Sequence, residues 1–402
     1  MKKRILVTSV IALVLMLPIG SAIAADVLQT PTELTPIEQL GKDLFFDTSL
    51  SSNRTMSCAT CHAPEVGFVG PDSNINETSA VYPGAVGTRF GNRKPPSAAY
   101  GGQSPIFQYD EDEALWIGGM FWDGRATGLT LDDPLAEQAQ GPFLNPLEMN
   151  MPNANLVCTR VAQSDYVDLF EEVWGEGSLD FTINVDRTYE YIARSIAAYE
   201  KSNEVNPYSS KYDYYLKGEV ALTEQEALGL ELFEGKGMCS SCHISQPGSA
   251  GEPPVFTDFT YDNLGIPKNP DNPFYTMPKR WNPDKEEWVD YGLGGFLMGD
   301  GYSAEVYGPE LGKFKVPTLR NVDLRPYPEF VKVYGHNGYF KSLEEIVHFY
   351  NSRDVDTEDW PEPEYAPTIN TDELGNLGLS EEEEAALVAF LKTLSDGYTS
   401  EP

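Results

Sequence analysis

Apolar residues recur at helical spacing in two stretches that read almost as copies, LTPIEQLGKDLFF at 34–46 and LTEQEALGLELFE at 222–234. Leu40 and Leu44 in the first, like Leu228 and Leu232 in the second, stand one turn apart on one face, the mark of an amphipathic helix. Thr35 and Thr223 precede them as N-caps. A longer helical pattern closes each half: VDRTYEYIARSIAAYEKS at 185–202 and SEEEEAALVAFLKTL at 380–394. The latter has Ser380 as cap and acidic residues in the first turn, where the helix dipole favours them. A further helix opens at Ser342 and Glu345, a capping-box pair, and sets Leu343, Ile346, Val347 and Tyr350 on a common face. The 35 Gly and 30 Pro residues predict long ordered loops between these helices. The expected fold is mainly α, with the chain dividing near 205–215 into an N-terminal domain over 25–207 and a C-terminal domain over 208–402.

Residues 1–24 read differently. Three basic residues, an apolar run and Ala22-Ile23-Ala24 make a secretory signal peptide, too short and wrongly flanked to span a bilayer. No later stretch is apolar enough to span one, so the mature chain is expected without a transmembrane segment, in the periplasm or at the cell surface. A formal net charge of -34 repels nucleic acid and favours basic partners.

Exported proteins ordinarily spend cysteines on disulfides. Here Cys158 is left over and the other four stand as SCATCH, with Cys58, Cys61 and His62, and as MCSSCH, with Cys239, Cys242 and His243. Two thiols at that spacing add to the two vinyl groups of one haem, and the next residue reaches the iron. The pairs lie too far apart for an ordinary four-cysteine zinc site, and a redox pair does not require histidine behind it twice. The prediction is two covalently attached c-type haems, with His62 and His243 as iron ligands.

Several further motifs, in order, resemble the bacterial di-haem cytochrome c peroxidase family and its MauG-like branch: FWDGRA at 121–126, EQAQGPFLNPLEM at 137–149, FKVPTLRNV at 314–322 and HNGYFKSLEEIVHFYN at 336–351. The resemblance implies two cytochrome c-like haem domains packed against each other. It also implies an exported peroxidase that uses hydrogen peroxide. Glu148 matches the family's distal glutamate, which would serve as acid and base, Gln138 its distal glutamine, Pro142 a residue bordering that pocket, and Trp122 the indole between the haems. Arg125 is either a partner for a haem propionate or a structural ion pair.

In the donor-dependent peroxidases a loop histidine covers the first iron at rest. No histidine lies between His62 and His243, so the first haem is expected open, with Met120, Met149 or Met151 as competing ligands. Counting from His336 as the family does places Tyr350 on the second iron, with His348 as the competitor and a plain core tyrosine as the alternative. His336 itself is not expected to bind iron.

Two departures stand out. Gly237 occupies the place of the tryptophan through which MauG oxidises its partner, which leaves Trp281, Trp288 and Trp360 as candidates by chemistry alone. Lys94 occupies the place of a calcium-ligating asparagine, which counts against calcium, although Asn92 and the backbone oxygens near Val331–Val333 remain available. Two partner classes follow: a protein with oxidisable Trp or Tyr side chains, or a small cytochrome c that feeds a detoxifying peroxidase. A pure di-haem electron carrier is the third reading, and the Glu148–Gln138 pair argues against it.

Overall fold

The computed structural model describes residues 33–355 and 360–399; the leader and its expected cleavage site lie outside the described residues. Leu34–Pro402 form one compact unit, mainly helical. The opening helix α1 (Pro36–Phe46) is followed by loops carrying the short α2 (Ser73–Thr78) and a hairpin, β1 (Gln108–Asp110) with β2 (Leu115–Ile117). Three helices, α3 (Pro134–Leu144), α4 (Ala154–Val161) and α5 (Val167–Trp174), lead to α6 (Val185–Lys201). The second half runs α7 (Lys211–Leu216), α8 (Glu224–Glu234), β3 (Tyr261–Asp262), α9 (Gly292–Gly299), α10 (Ala304–Tyr307), β4 (Phe314–Lys315), α11 (Leu343–Ser352) and α12 (Glu381–Lys392). Strands β3 and β4 pair antiparallel.

The internal repeat has a packing reason. A Cβ on Gly41 would stand 1.9 Å from the Ser195 carbonyl oxygen, so α1 crosses α6 backbone against backbone. At the matching position, a Cβ on Gly229 would stand 2.0 Å from the Ala386 oxygen, and α8 crosses α12 in the same way. Each half is therefore an opening helix laid across a closing helix, with glycine at the crossing because no side chain fits. Thr223 Oγ accepts the Glu226 N–H at 3.3 Å, and the Thr35 and Thr223 N–H groups each reach the glutamate three residues on at 2.7 Å. Those caps fix where both opening helices begin.

Each crossing has its own core. Leu40, Leu44, Phe45, Ile192 and Ile196 belong to the first, together with Cys158, whose buried thiol is pushed up to about 12. Leu232, Phe233, Leu387 and Phe390 belong to the second. Val205 belongs to the first core and Tyr212 to the second, although Val255 returns to the first. The fully buried Arg320 donates to Asp213 at 2.6 Å and to the Pro254 carbonyl.

Two expectations need correction. Leu228 is 41% exposed rather than buried with Leu232, because the crossing turns Gly229, Leu232 and Phe233 inward and leaves Leu228 outside. Ser342 Oγ caps α11 by accepting the Glu345 N–H, but the Glu345 carboxylate accepts from the Lys341 N–H instead of closing a box.

Candidate functional site

Both cysteine–histidine units adopt one local shape. Cys58–Thr60 and Cys239–Ser241 are single 3₁₀ turns, and the His62 and His243 N–H groups donate back to Cys58 and Cys239. That wraps both thiols and the imidazole of each unit onto the wall of one cavity. His62 Nδ1 lies 3.1 Å from the Phe68 oxygen and His243 Nδ1 lies 2.8 Å from the Phe256 oxygen. A carbonyl can only accept, so each Nδ1 carries its proton and each Nε2 keeps a lone pair. Burial lowers both histidine pKa values and keeps the rings neutral. A neutral ring with its far nitrogen tied to a carbonyl is how a protein orients a metal-ligating histidine. Burial pushes Cys61, Cys239 and Cys242 up to about 12 and raises Cys58 as well. These are protonated thiols lining two different cavities, which cannot jointly hold one zinc.

The space inside the first cavity and its mouth is about 1230 Å³, and that of the second about 1450 Å³, open solvent included.

Cys58, Cys61, His62, Gln138, Pro142 and Glu148 all line the first cavity. Gln138 and Pro142 come from α3, which starts at Pro134 under an Asp133 cap. Glu148 comes from the turn after it, tied down where the Ala85 N–H donates to its carbonyl at 2.7 Å. Its carboxylate accepts the Asn145 side-chain N–H at 2.7 Å. Burial raises the Glu148 pKa, while Arg125 and the Asn145 bond pull against it. His62 is the one histidine among the described residues lining this cavity; Met120 and Met149 also line it, and Met151 does not.

Trp122 forms part of the wall of both cavities and donates its indole N–H to the Lys94 carbonyl at 3.0 Å. Arg125 lines the first cavity, pairs with Asp123 at 2.8 Å and stacks its guanidinium 3.8 Å from the Phe121 ring centre. Asp123 also takes Arg93, which reaches Asp290 as well.

Cys239, Cys242, His243, Tyr350 and Gly237 line the second cavity. His336 lines it too, with its ring stacked 3.5 Å from Phe314 and its Nε2 3.7 Å from Glu364. His348 faces another side of α11 and pairs with Glu384 on α12 at 3.0 Å.

Charged residues that sequence reasoning missed complete both sites. Glu200, on the apolar side of α6, lines the first cavity with one carboxylate oxygen unpartnered, and burial pushes it up to about 8. Its only sequence signal was a charge within the apolar face of a helix. Lys94, Lys315 and Lys332 line the second cavity. Burial brings Lys94 down to about 8 and Lys315 to about 7, and lowers Lys332 strongly. Lys332 Nζ meets the Val66, Asn321 and Leu324 carbonyls at 2.8, 2.6 and 3.1 Å. Three acceptors match the three N–H bonds of an ammonium, so geometry holds the charge that burial opposes. Buried lysines without carboxylate partners suit a cofactor that brings carboxylates of its own, as haem does.

The comparisons agree with this geometry. A sequence profile described as "Di-haem cytochrome c peroxidase" matches residues 36–221. Methylamine utilization protein MauG of Paracoccus denitrificans is 36% identical over 369 residues, 89% of this chain and 88% of that protein. Cytochrome-c peroxidase IdrP1 of Denitromonas iodatirespirans is 30% identical over 89% of this chain and 80% of its own length. Among solved structures, the diheme peroxidase BthA of Burkholderia thailandensis superposes with a TM-score of 0.75 at 29% identity, covering 90% of this chain and 86% of that one.

Proposed function

Because the chain belongs to the di-haem cytochrome c peroxidase family, as an oxidoreductase acting with peroxide, we propose that hydrogen peroxide is reduced in the first cavity. There Cys58 and Cys61 would hold a haem covalently and His62 would ligate its iron, with room left beside it for peroxide. The observation that carries this reading is that Glu148, Gln138 and His62 share one cavity with no second histidine among its described lining residues. The bound haem supplies an iron able to take electrons in and out at a peroxide oxygen.

The protein's task is the protons. Glu148 accepts one from the near peroxide oxygen and returns it to the far one, which lets the O–O bond break unevenly. Asn145 holds the Glu148 carboxylate for that transfer, and the Gln138 amide orients the peroxide. Trp122, which borders both cavities, relays charge between them. Cys239, Cys242 and His243 would hold a second haem, to which Tyr350 would offer a phenolate oxygen. Such a hard anionic ligand favours ferric iron, where a methionine would favour ferrous. The electrons come from a protein partner, outside the cytoplasm if residues 1–24 act as an export leader.

Calcium fits poorly here: Lys94 stands where the family's asparagine ligand would, the Val331 carbonyl already accepts from Asn76 at 2.9 Å, and Lys332 Nζ already ties the Val66, Asn321 and Leu324 carbonyls together.

The test is peroxide added to the untreated, all-ferric holoprotein. A high-spin first haem that reacts at once supports the proposal. Two low-spin haems indifferent to peroxide would overturn it in favour of electron relay. The strongly acidic chain also favours a peroxidase fed by a small basic cytochrome c, which would need prior half-reduction.

A further inference from the structure

The path by which electrons enter is missing from the family position, where this chain has Gly237. A continuous set of aromatic rings leads outward elsewhere. Asp262 and Asn263 line the second cavity, and Tyr261, next to them on β3, sits against the Trp122 loop, since a Cβ on Gly124 would stand 2.4 Å from its hydroxyl. Lys315, the β-partner of Tyr261, donates its N–H to the Trp122 carbonyl at 2.8 Å. From Tyr261 the rings continue to Phe107 at 6.2 Å and to Trp116, stacked on Phe107 at 4.8 Å. Trp116 then meets Tyr109 at 5.3 Å and Tyr302 at 5.6 Å, and these two are 44% and 39% exposed. The turn beside Trp116 carries Asp110, Glu111, Asp112 and Glu113 in succession.

Resting on the peroxidase reading above, we propose that the β1–β2 hairpin face, centred on Trp116 with Tyr109 and Tyr302, is the docking and electron-entry site for a small, lysine-rich electron-donor protein. Exposed aromatics inside an acidic rim offer such a partner an apolar contact and charge complementarity together. The same carboxylates favour Trp116 as the relay. An indole gives up an electron as a cation without first losing a proton, and four nearby negative charges stabilise that cation. Trp281 is the opposite case, with the guanidiniums of Arg89 and Arg280 at 4.6 and 5.1 Å from its ring. The balance is simple. Each hydrogen peroxide takes two electrons and two protons and leaves as two waters. The donor gives the electrons one at a time through Trp116, and the protons come from solvent.

The experiment uses the holoprotein with a small basic cytochrome c as probe and an acidic one as control. Binding of the oxidised probe needs no peroxide and tests the face alone: a D110N/D112N/E113Q variant should bind about tenfold more weakly at low salt and equally at high salt. Peroxide-driven oxidation of the reduced probe tests the relay. Trp116→Phe should lower kcat about tenfold with KM unchanged, and the exposed control Leu129→Ala should leave kcat within twofold. Reaction of peroxide with the unpartnered all-ferric holoprotein reads the first cavity separately and should be unchanged in every variant. Probe binding unaffected by the triple variant, or an unaltered kcat in Trp116→Phe, would each overturn the assignment.

Discussion

Asn145 gives the proton-transfer role of Glu148 its sharpest test, because it touches the carboxylate without occupying the reaction space. Its side-chain N–H donates to Glu148 at 2.7 Å, and a hydrogen bond to a charged group contributes about 1.5–3 kcal/mol. That bond favours the ionised carboxylate, so Asn145→Ala should raise the Glu148 pKa further, by about 1–2 units at roughly 1.4 kcal/mol per unit. Burial has already raised it above the ordinary carboxylate range. Glu148 must be ionised to accept a proton, so the rate of peroxide reaction should climb with pH through this pKa. The variant's acid limb should therefore move to higher pH and meet the wild-type plateau at alkaline pH. Stopped-flow mixing of ferric holoprotein with peroxide across pH measures this directly. Glu148→Gln should abolish the limb and slow the plateau about 10²–10⁴-fold, the usual contribution of a placed acid–base group. An unchanged rate in Glu148→Gln, or an acid limb that moves down in Asn145→Ala, refutes the assignment.

Three further outcomes follow from the geometry. Gly41→Ala and Gly229→Ala should each cost about 3 kcal/mol or more, since their Cβ atoms would overlap carbonyl oxygens at 1.9 and 2.0 Å, beyond the ordinary range for overpacking; denaturant unfolding beside the surface control Lys42→Ala measures it. Lys332→Met, which leaves three buried carbonyls without their donor, should cost about 3 kcal/mol or more, while a calcium chelator should change neither melting temperature nor spectrum; a stoichiometric calcium found by elemental analysis would reverse that view. Tyr350→Met should raise the second haem's midpoint potential by on the order of 0.1 V, inside the roughly 0.8 V that axial ligands span, and an unmoved potential counts against coordination.

What could be read along the chain was what depends on near neighbours. Helix starts at Thr35, Thr223 and Ser380 follow from caps three residues from their partners, and the cysteine–histidine units carry their chemistry within five residues. Even the repeat was legible, although its cause, two backbone crossings at Gly41 and Gly229, needed the second helix of each pair. Glu200, Lys315 and Lys332 were not legible as site residues, and Lys94 was legible only as a departure at a calcium ligand's place. Each belongs to a cavity through contacts made far along the chain, and nothing local distinguishes a lysine that meets three carbonyls from one in water. Leu228 failed for the complementary reason: its apolar spacing fits a buried face that the crossing at Gly229 turns away.

Those charges explain how one frame, used twice, supports two chemistries. The helix crossings are equivalent, so the halves differ in what their loops and closing helices deliver. The first cavity receives Glu148 and Glu200, both raised by burial and suited to holding or passing protons. The second receives Lys315 and Lys332, shares Lys94 with the first, and has Asp262, Asp290, Glu364 and Glu373 in the same wall as Tyr350. Burial and the nearby Asp262 favour the protonated phenol of Tyr350, and Arg353 alone pulls the other way, so a phenolate there depends on the iron it would bind rather than on the lysines.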